Sequence, residues 1–238
     1  MIVATNAIVI LTLKYGDTSL IVKCLTETSG MHTYLLKGIL KAKKGKLKAA
    51  YFQPLTLLEI VANHKNNGTL ETLREAKVSY PYHSIHTDIH KNAIAFFISE
   101  ILAVSIYEEE QNKSMFEFIE TALRWLDLNE EISNFHIAFL MMLSRYLGFY
   151  PDDSRKELPF FDLQEGEFTH TETSTTLKDQ NLEDFKCFLG IIFDAIHTIK
   201  LTKERRATLL NNLIIYFELH LQGFKKPKSI AVLNEVFR

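Results

Sequence analysis

Cysteine is nearly absent: Cys24 and Cys187 are the only two in 238 residues. That excludes a disulfide framework and any zinc site built from four thiolates. Both lie in apolar runs, so we expect reduced, buried thiols and a cytoplasmic home. No uncharged apolar stretch is long enough to cross a membrane. The apolar N-terminus is broken by Thr5 and Asn6 and lacks a basic leader, which reads as a strand rather than a signal peptide. Chemical signatures are missing too. There is no Gly-x-Ser-x-Gly elbow, no Walker-type phosphate loop and no His-Glu-x-x-His pair, and we expect neither an enzyme nor a bound cofactor.

Net charge is also small, at -2, but the average hides two opposite surfaces. Residues 1–80 carry eleven Lys or Arg against five acids, a balance of +6, whereas residues 81–238 stand at -8. A basic segment attracts polyanions, and an acidic one is by default a solvated face.

Turn signals divide the basic segment into short β-rich runs: Ala7 to Leu13, Ser19 to Leu25, Met31 to Leu36 and Leu55 to Ala62. A fifth, Thr69 to Arg74, follows an Asn66-Asn67-Gly68 hairpin turn. Five strands within 1–80 match the size of an OB-type barrel. Beyond Pro81 the apolar spacing becomes helical, and 81–238 reads as an α-helical domain. Its expected helices are Asn92 to Tyr107, one opened by a Ser114/Glu117 capping box and running to Leu126, Glu131 to Leu147, Leu182 to Ile199 and Thr202 to Leu221. An irregular excursion at about 150–180, with a small hairpin, interrupts them, and a short tail follows Gly223. The fold class is therefore α+β, a five-stranded OB-like β-barrel followed by helices.

The most informative segment is Lys37 to Lys48, in which Lys37, Lys41, Lys43, Lys44, Lys46 and Lys48 alternate with small or apolar residues and no acid intervenes. Clustered ammonium groups displace counterions condensed on a phosphate backbone, which gives sequence-independent, salt-sensitive affinity. Gly38 and Gly45 permit close approach. Tyr15, Tyr34, Tyr51 and Phe52 are candidate stacking platforms for bases, although aromatic rings more often fill cores.

Tyr15-Gly16-Asp17-Thr18-Ser19-Leu20-Ile21-Val22, Leu25 to Gly30, Leu36-Lys37-Gly38 and Ala49 to Glu59 together resemble the N-terminal part of the RecO family. Phe97 to Leu102, Phe135 to Pro151 and Lys226-Pro227-Lys228-Ser229 extend the resemblance through the helical part. It implies an OB domain and a helical domain that bind single- and double-stranded DNA, anneal complementary strands and help load recombinase onto strands coated by single-strand-binding protein. The implied partners are RecR and the C-terminal tail of single-strand-binding protein, and the implied setting is cytoplasmic, at the nucleoid during repair. The family's basic loop falls on the six lysines named above. Many relatives carry a four-cysteine zinc finger after the Gly-Phe-Tyr-Pro stretch, which this chain lacks. Ser133 and Asn134 stand where some relatives have basic residues that hold the tail.

Two other readings remain open. One is a different OB-fold protein that binds RNA. The other is a metal-dependent hydrolase, since His83, His86 and His90 would share one face if their segment were helical. An acidic, apolar peptide would suit a groove with basic rim residues, for which Arg124, Arg145, Lys203, Arg205 and Arg206 are candidates.

Overall fold

A computed structural model describes residues 1–41, 47–64, 70–107 and 111–237. Five antiparallel strands open the chain: β1 (Ile2–Tyr15), β2 (Ser19–Thr26), β3 (Gly30–Leu36), β4 (Leu57–Asn63) and β5 (Thr72–Tyr80). They are ordered β3-β2-β1-β4-β5. The outer strands meet through a parallel bridge between Tyr34 and Glu71, where Leu35 N–H donates to Glu71 O at 3.0 Å and Glu71 N–H to Thr33 O at 2.8 Å. The sheet is thus curled into an OB-like barrel joined at one point. The expected Asn66-Asn67-Gly68 turn lies outside the described residues.

Strand β1 shows why an unbroken apolar run can be a strand. Ala7 and Val9 point into the barrel core, while Ile8 and Ile10 point out against the helices, so both faces are buried. Register slips between Val9 and Leu11. This bulge bends the strand and re-aims the residues that follow it.

The helices are α1 (Ile89–Ser105), α2 (Lys113–Leu128), α3 (Phe135–Tyr146), α4 (Asp179–Lys186), α5 (Lys203–His220) and α6 (Ile230–Val236). Apolar nearly all round, α1 lies between the barrel and the other helices, and Ser99 Oγ donates to Ile10 O at 2.6 Å. Its N-cap Asp88 accepts from His90 and Lys91 N–H, each at 2.9 Å. The excursion holds a three-stranded sheet, β6 (Phe160–Asp162), β7 (Glu167–Thr169) and β8 (Thr176–Leu177), ordered β7-β6-β8.

Several expectations need correction. Helix α2 is capped by Asn112, whose carboxamide oxygen accepts from Met115 N–H at 3.0 Å; Ser114 instead donates to that same oxygen. The single helix expected over Leu182 to Ile199 is broken: α4 stops at Lys186, Gly190 takes φ +74°, and a 3-10 turn, Phe193–Thr198, follows. Gly190 N–H donates to Tyr150 Oη at 2.7 Å instead of continuing the helical ladder, which leaves Ile192 exposed. The tail contains α6, antiparallel on α1, with Phe237 against the His90 ring and Ser229 against Glu100. Cys24 is buried as expected, but Cys187 is exposed.

Buried histidines give the fold a pH dependence. Burial lowers the pKa of His64 and His86, and burial with the Arg206 charge brings His136 down to about 3. A folded pKa below the unfolded one means stability is full above the unfolded value, near 6.5, and declines as pH falls below it. His136 alone should cost about 2 kcal/mol between pH 7 and pH 5. Urea midpoints should fall over that interval, and His136→Leu should flatten the profile; a wild-type midpoint constant from pH 7 to 5 would refute this.

Candidate nucleic-acid interface

Topology brings the basic residues together. The β1–β2 turn and the connection from β3 to β4 both leave the same end of the barrel, because antiparallel neighbours reverse direction there. Gly38 N–H donates to Ser19 Oγ at 3.2 Å and Leu40 N–H to Thr18 O at 2.9 Å, so the start of the lysine loop is laced to the hairpin turn. Gly38 makes the bend at φ +70°, a conformation in which a side chain would be strained. Ile39 is buried in the barrel core and pins the loop, while Lys37, Leu40 and Lys41 are exposed around it.

At the far side of this connection Lys48 precedes the 3-10 turn Ala49–Phe52 and is exposed, with its Nζ 5.6 Å from the centre of the Tyr51 ring. Thr12 Oγ1 donates to Phe52 O at 2.7 Å, which fastens this turn to the same half of β1. Lys37, Lys41 and Lys48 therefore share one end of the barrel. Lys43, Lys44 and Lys46 lie outside the described residues.

The four aromatic candidates divide evenly. Tyr34 and Phe52 are core residues, and Tyr34 Oη is 2.8 Å from His64 Nε2. Tyr15 is 55% exposed, and Tyr51 is half-buried beneath Lys48. The sequence reading missed Lys14 and Leu13, both exposed beside Tyr15 at this end. A strand pattern containing a one-residue bulge does not announce which faces its last residues take. Of the five acids in residues 1–80, Asp17 alone sits at the β1–β2 turn. Glu27, Glu59 and Glu75 line a groove on the outer face of β1, β4 and β5, and Glu71 is buried.

The histidine row does not form. Residues 83–88 precede α1 as turns and only His90 is helical, so the three imidazoles do not share a face. His83 gives its backbone N–H to Asp127 Oδ2, His86 Nε2 is 3.4 Å from Thr56 Oγ1, and the His90 ring packs on Phe237. Among the described residues no group of three or more His, Cys, Asp or Glu is placed to hold a metal ion. This corrects the hydrolase reading.

Of the five rim candidates, three are engaged elsewhere. Arg124 bonds Glu120 and lies over Tyr80, Arg145 lies over Tyr150, and Arg205 pairs with Asp184. Lys203 and Arg206 remain, and together with His136, Glu204, Leu210 and Phe237 they line a cavity of about 260 Å³ between α3, α5 and α6. Arg206 is oriented by its Nε bond to Asn134 Oδ1 at 3.1 Å. No helix among the described residues is long and apolar enough to cross a membrane.

Comparison with known proteins adds to this geometry. Family models described as the N-terminal and C-terminal parts of recombination protein O match residues 1–82 and 86–229. A protein named DNA repair protein RecO from Flavobacterium psychrophilum is 49% identical over 237 residues, covering 100% of both chains. Proteins of the same name from Christiangramia forsetii and Bacteroides fragilis are 47% and 35% identical, again over 100% of each chain.

Proposed function

The chain belongs to the RecO family, and from that footing we propose that it is a DNA repair and recombination mediator that binds single- and double-stranded DNA and anneals complementary strands. The observation that carries this reading is the gathering of exposed Lys14, Lys37, Lys41 and Lys48 with Tyr15 and Tyr51 at one end of the barrel. Lys43, Lys44 and Lys46 belong to the same connection in sequence. Two polyanionic strands repel, and a basic surface touching both lowers that barrier without any bond chemistry.

The helical part, 81–238, serves in this reading as the docking platform for RecR and for the acidic, apolar tail of single-strand-binding protein. The cavity holding Lys203 and Arg206 suits such a tail, with apolar walls from Leu210 and Phe237 and cations at its edge. Loading recombinase onto coated strands in the cytoplasm, at the nucleoid, follows from the two halves acting together.

A strand-annealing assay with labelled complementary oligonucleotides, bare and coated with single-strand-binding protein, tests the proposal. Pairing should be faster with the protein in both settings. With about six phosphates neutralised, log affinity for a single strand should fall against log salt with a slope near -4. Annealing no faster than in the protein-free control, or a flat salt dependence, would overturn it.

A further inference from the structure

We propose that the segment Lys225–Lys228 is a second phosphate-binding site, which holds the backbone of the second strand while the barrel lysines hold the first. This rests on the annealing reading and adds a location to it. Residues 81–238 are net acidic, yet Lys225, Lys226 and Lys228 fall within four residues and all are exposed. Among the described residues none of the three is joined to a carboxylate. Exposed cations elsewhere in this half commonly have a carboxylate partner, as in Lys113–Glu117, Lys156–Asp153 and Lys178–Glu172.

The segment is anchored at both ends. Pro227 is buried between the exposed lysines. On one side the Phe224 ring packs on Phe217, with centroids 5.8 Å apart. On the other, Ser229 donates its N–H and Oγ to Glu100 Oε2 at 2.8 and 2.7 Å. Those bonds occupy the Glu100 carboxylate and fix the backbone next to Lys228. Three like charges so close in the chain repel one another, and no described carboxylate pairs with any of them; a phosphate backbone would offset that repulsion.

Its position suits a second strand. Glu100 adjoins Ser99, which bonds Ile10 in β1, and from Ile10 the strand runs to Tyr15 at the lysine end. Adding the width of α1 to that strand segment puts the two basic surfaces on the order of 25 Å apart, about seven base pairs of duplex. One strand held at each surface could begin pairing between them.

The full chain carrying Lys225→Ala, Lys226→Ala and Lys228→Ala together is the test, with its thermal unfolding compared with wild type to confirm the fold. Affinity for a single-stranded oligonucleotide should stay within about threefold, because the barrel site is intact, while annealing of bare complementary strands should slow at least tenfold. The salt slope for a duplex should shrink by about 2.7 if three contacts are lost. Annealing at the wild-type rate by the folded variant would overturn the second site and leave the barrel reading standing. Slowing confined to strands coated with single-strand-binding protein would overturn it as well, by assigning the lysines to an acidic peptide. Should wild type itself neither bind nor anneal DNA, the annealing reading fails and this inference with it.

Discussion

Asp127→Ala is expected to lower the free energy of unfolding by about 4 kcal/mol, a large share of the roughly 5–15 kcal/mol that holds an ordinary domain folded. Asp127 is 3% exposed and accepts backbone N–H bonds from His83, Ser84 and Ile85 at 2.9, 2.9 and 3.2 Å. Tyr80 Oη adds a longer bond at 3.4 Å. These partners form the segment that leads from β5 into α1, so one carboxylate at the end of α2 fastens the barrel's exit to the helices. Burial opposes the charge, but the three amides and the Ser84 hydroxyl outweigh it and hold the pKa below the usual carboxylate range. Stability from this group is therefore present above about pH 4 and is lost as pH falls through the lowered folded value.

Removing the carboxylate orphans three donors, the buried Ile85 N–H and the part-buried His83 and Ser84 N–H groups, at about 1–3 kcal/mol each, least where water can enter. Lys91 feels the change indirectly. It is buried, and its Nζ donates to Ser84 Oγ at 2.8 Å and Asp127 O at 2.9 Å, so a shifted 80–85 segment would loosen a buried cation as well. Asp127→Asn should cost less than the alanine change, since its oxygen still accepts while its amide meets donors. Urea unfolding of the three proteins checks this, and a loss below 1 kcal/mol for the alanine variant would show that the network is not what joins the two parts.

How much of this was legible in the sequence depended on how local the cause was. The strands were readable because turn residues such as Tyr15-Gly16-Asp17 and Thr28-Ser29-Gly30 act within a few residues of the strands they end. The ends of α3 and α5 were readable for the same reason: Gly148 and Gly223 adopt positive φ just past them. Tertiary partners were not. The break within Leu182 to Ile199 depends on Tyr150, forty residues before Gly190, accepting the Gly190 N–H. The histidine row failed because Asp127, forty-four residues after His83, captures the backbone there and holds it in turns. Buried polar residues such as Lys91 and Asp127 carry no periodic signal, since what permits their burial is a partner distant in sequence.

The candidate site divides along the same line. Six lysines within twelve residues are visible in any linear reading, whereas Lys14 joins them only because a bulge and the common end of two antiparallel connections put it there. The reverse holds for the aromatics: Tyr34 and Phe52 were indistinguishable from Tyr15 and Tyr51 by composition, and only packing separates core from surface.

Exchanging Lys37, Lys41, Lys43, Lys44, Lys46 and Lys48 for Ala should reduce single-strand affinity by on the order of a hundredfold or more at 0.1 M salt. The lines of log affinity against log salt for wild type and variant should converge near 1 M, where counterion release contributes little. Each contact adds about 0.7 to the slope, so if three of the six touch phosphate the lines stand about two decades apart at 0.1 M, and if all six do, about four. The measured gap thus counts the contacts. Stability should barely change, since Lys37, Lys41 and Lys48 are exposed and the loop is pinned by Ile39. The loss should be uniform across oligonucleotide sequences, because an ammonium group reads charge and not base edges. Replacing all six with Arg should retain the slope, as the charge is kept. A six-alanine variant with the wild-type slope would move the phosphate contacts away from the barrel end, and Lys225, Lys226 and Lys228 would then be the described cluster left to account for them.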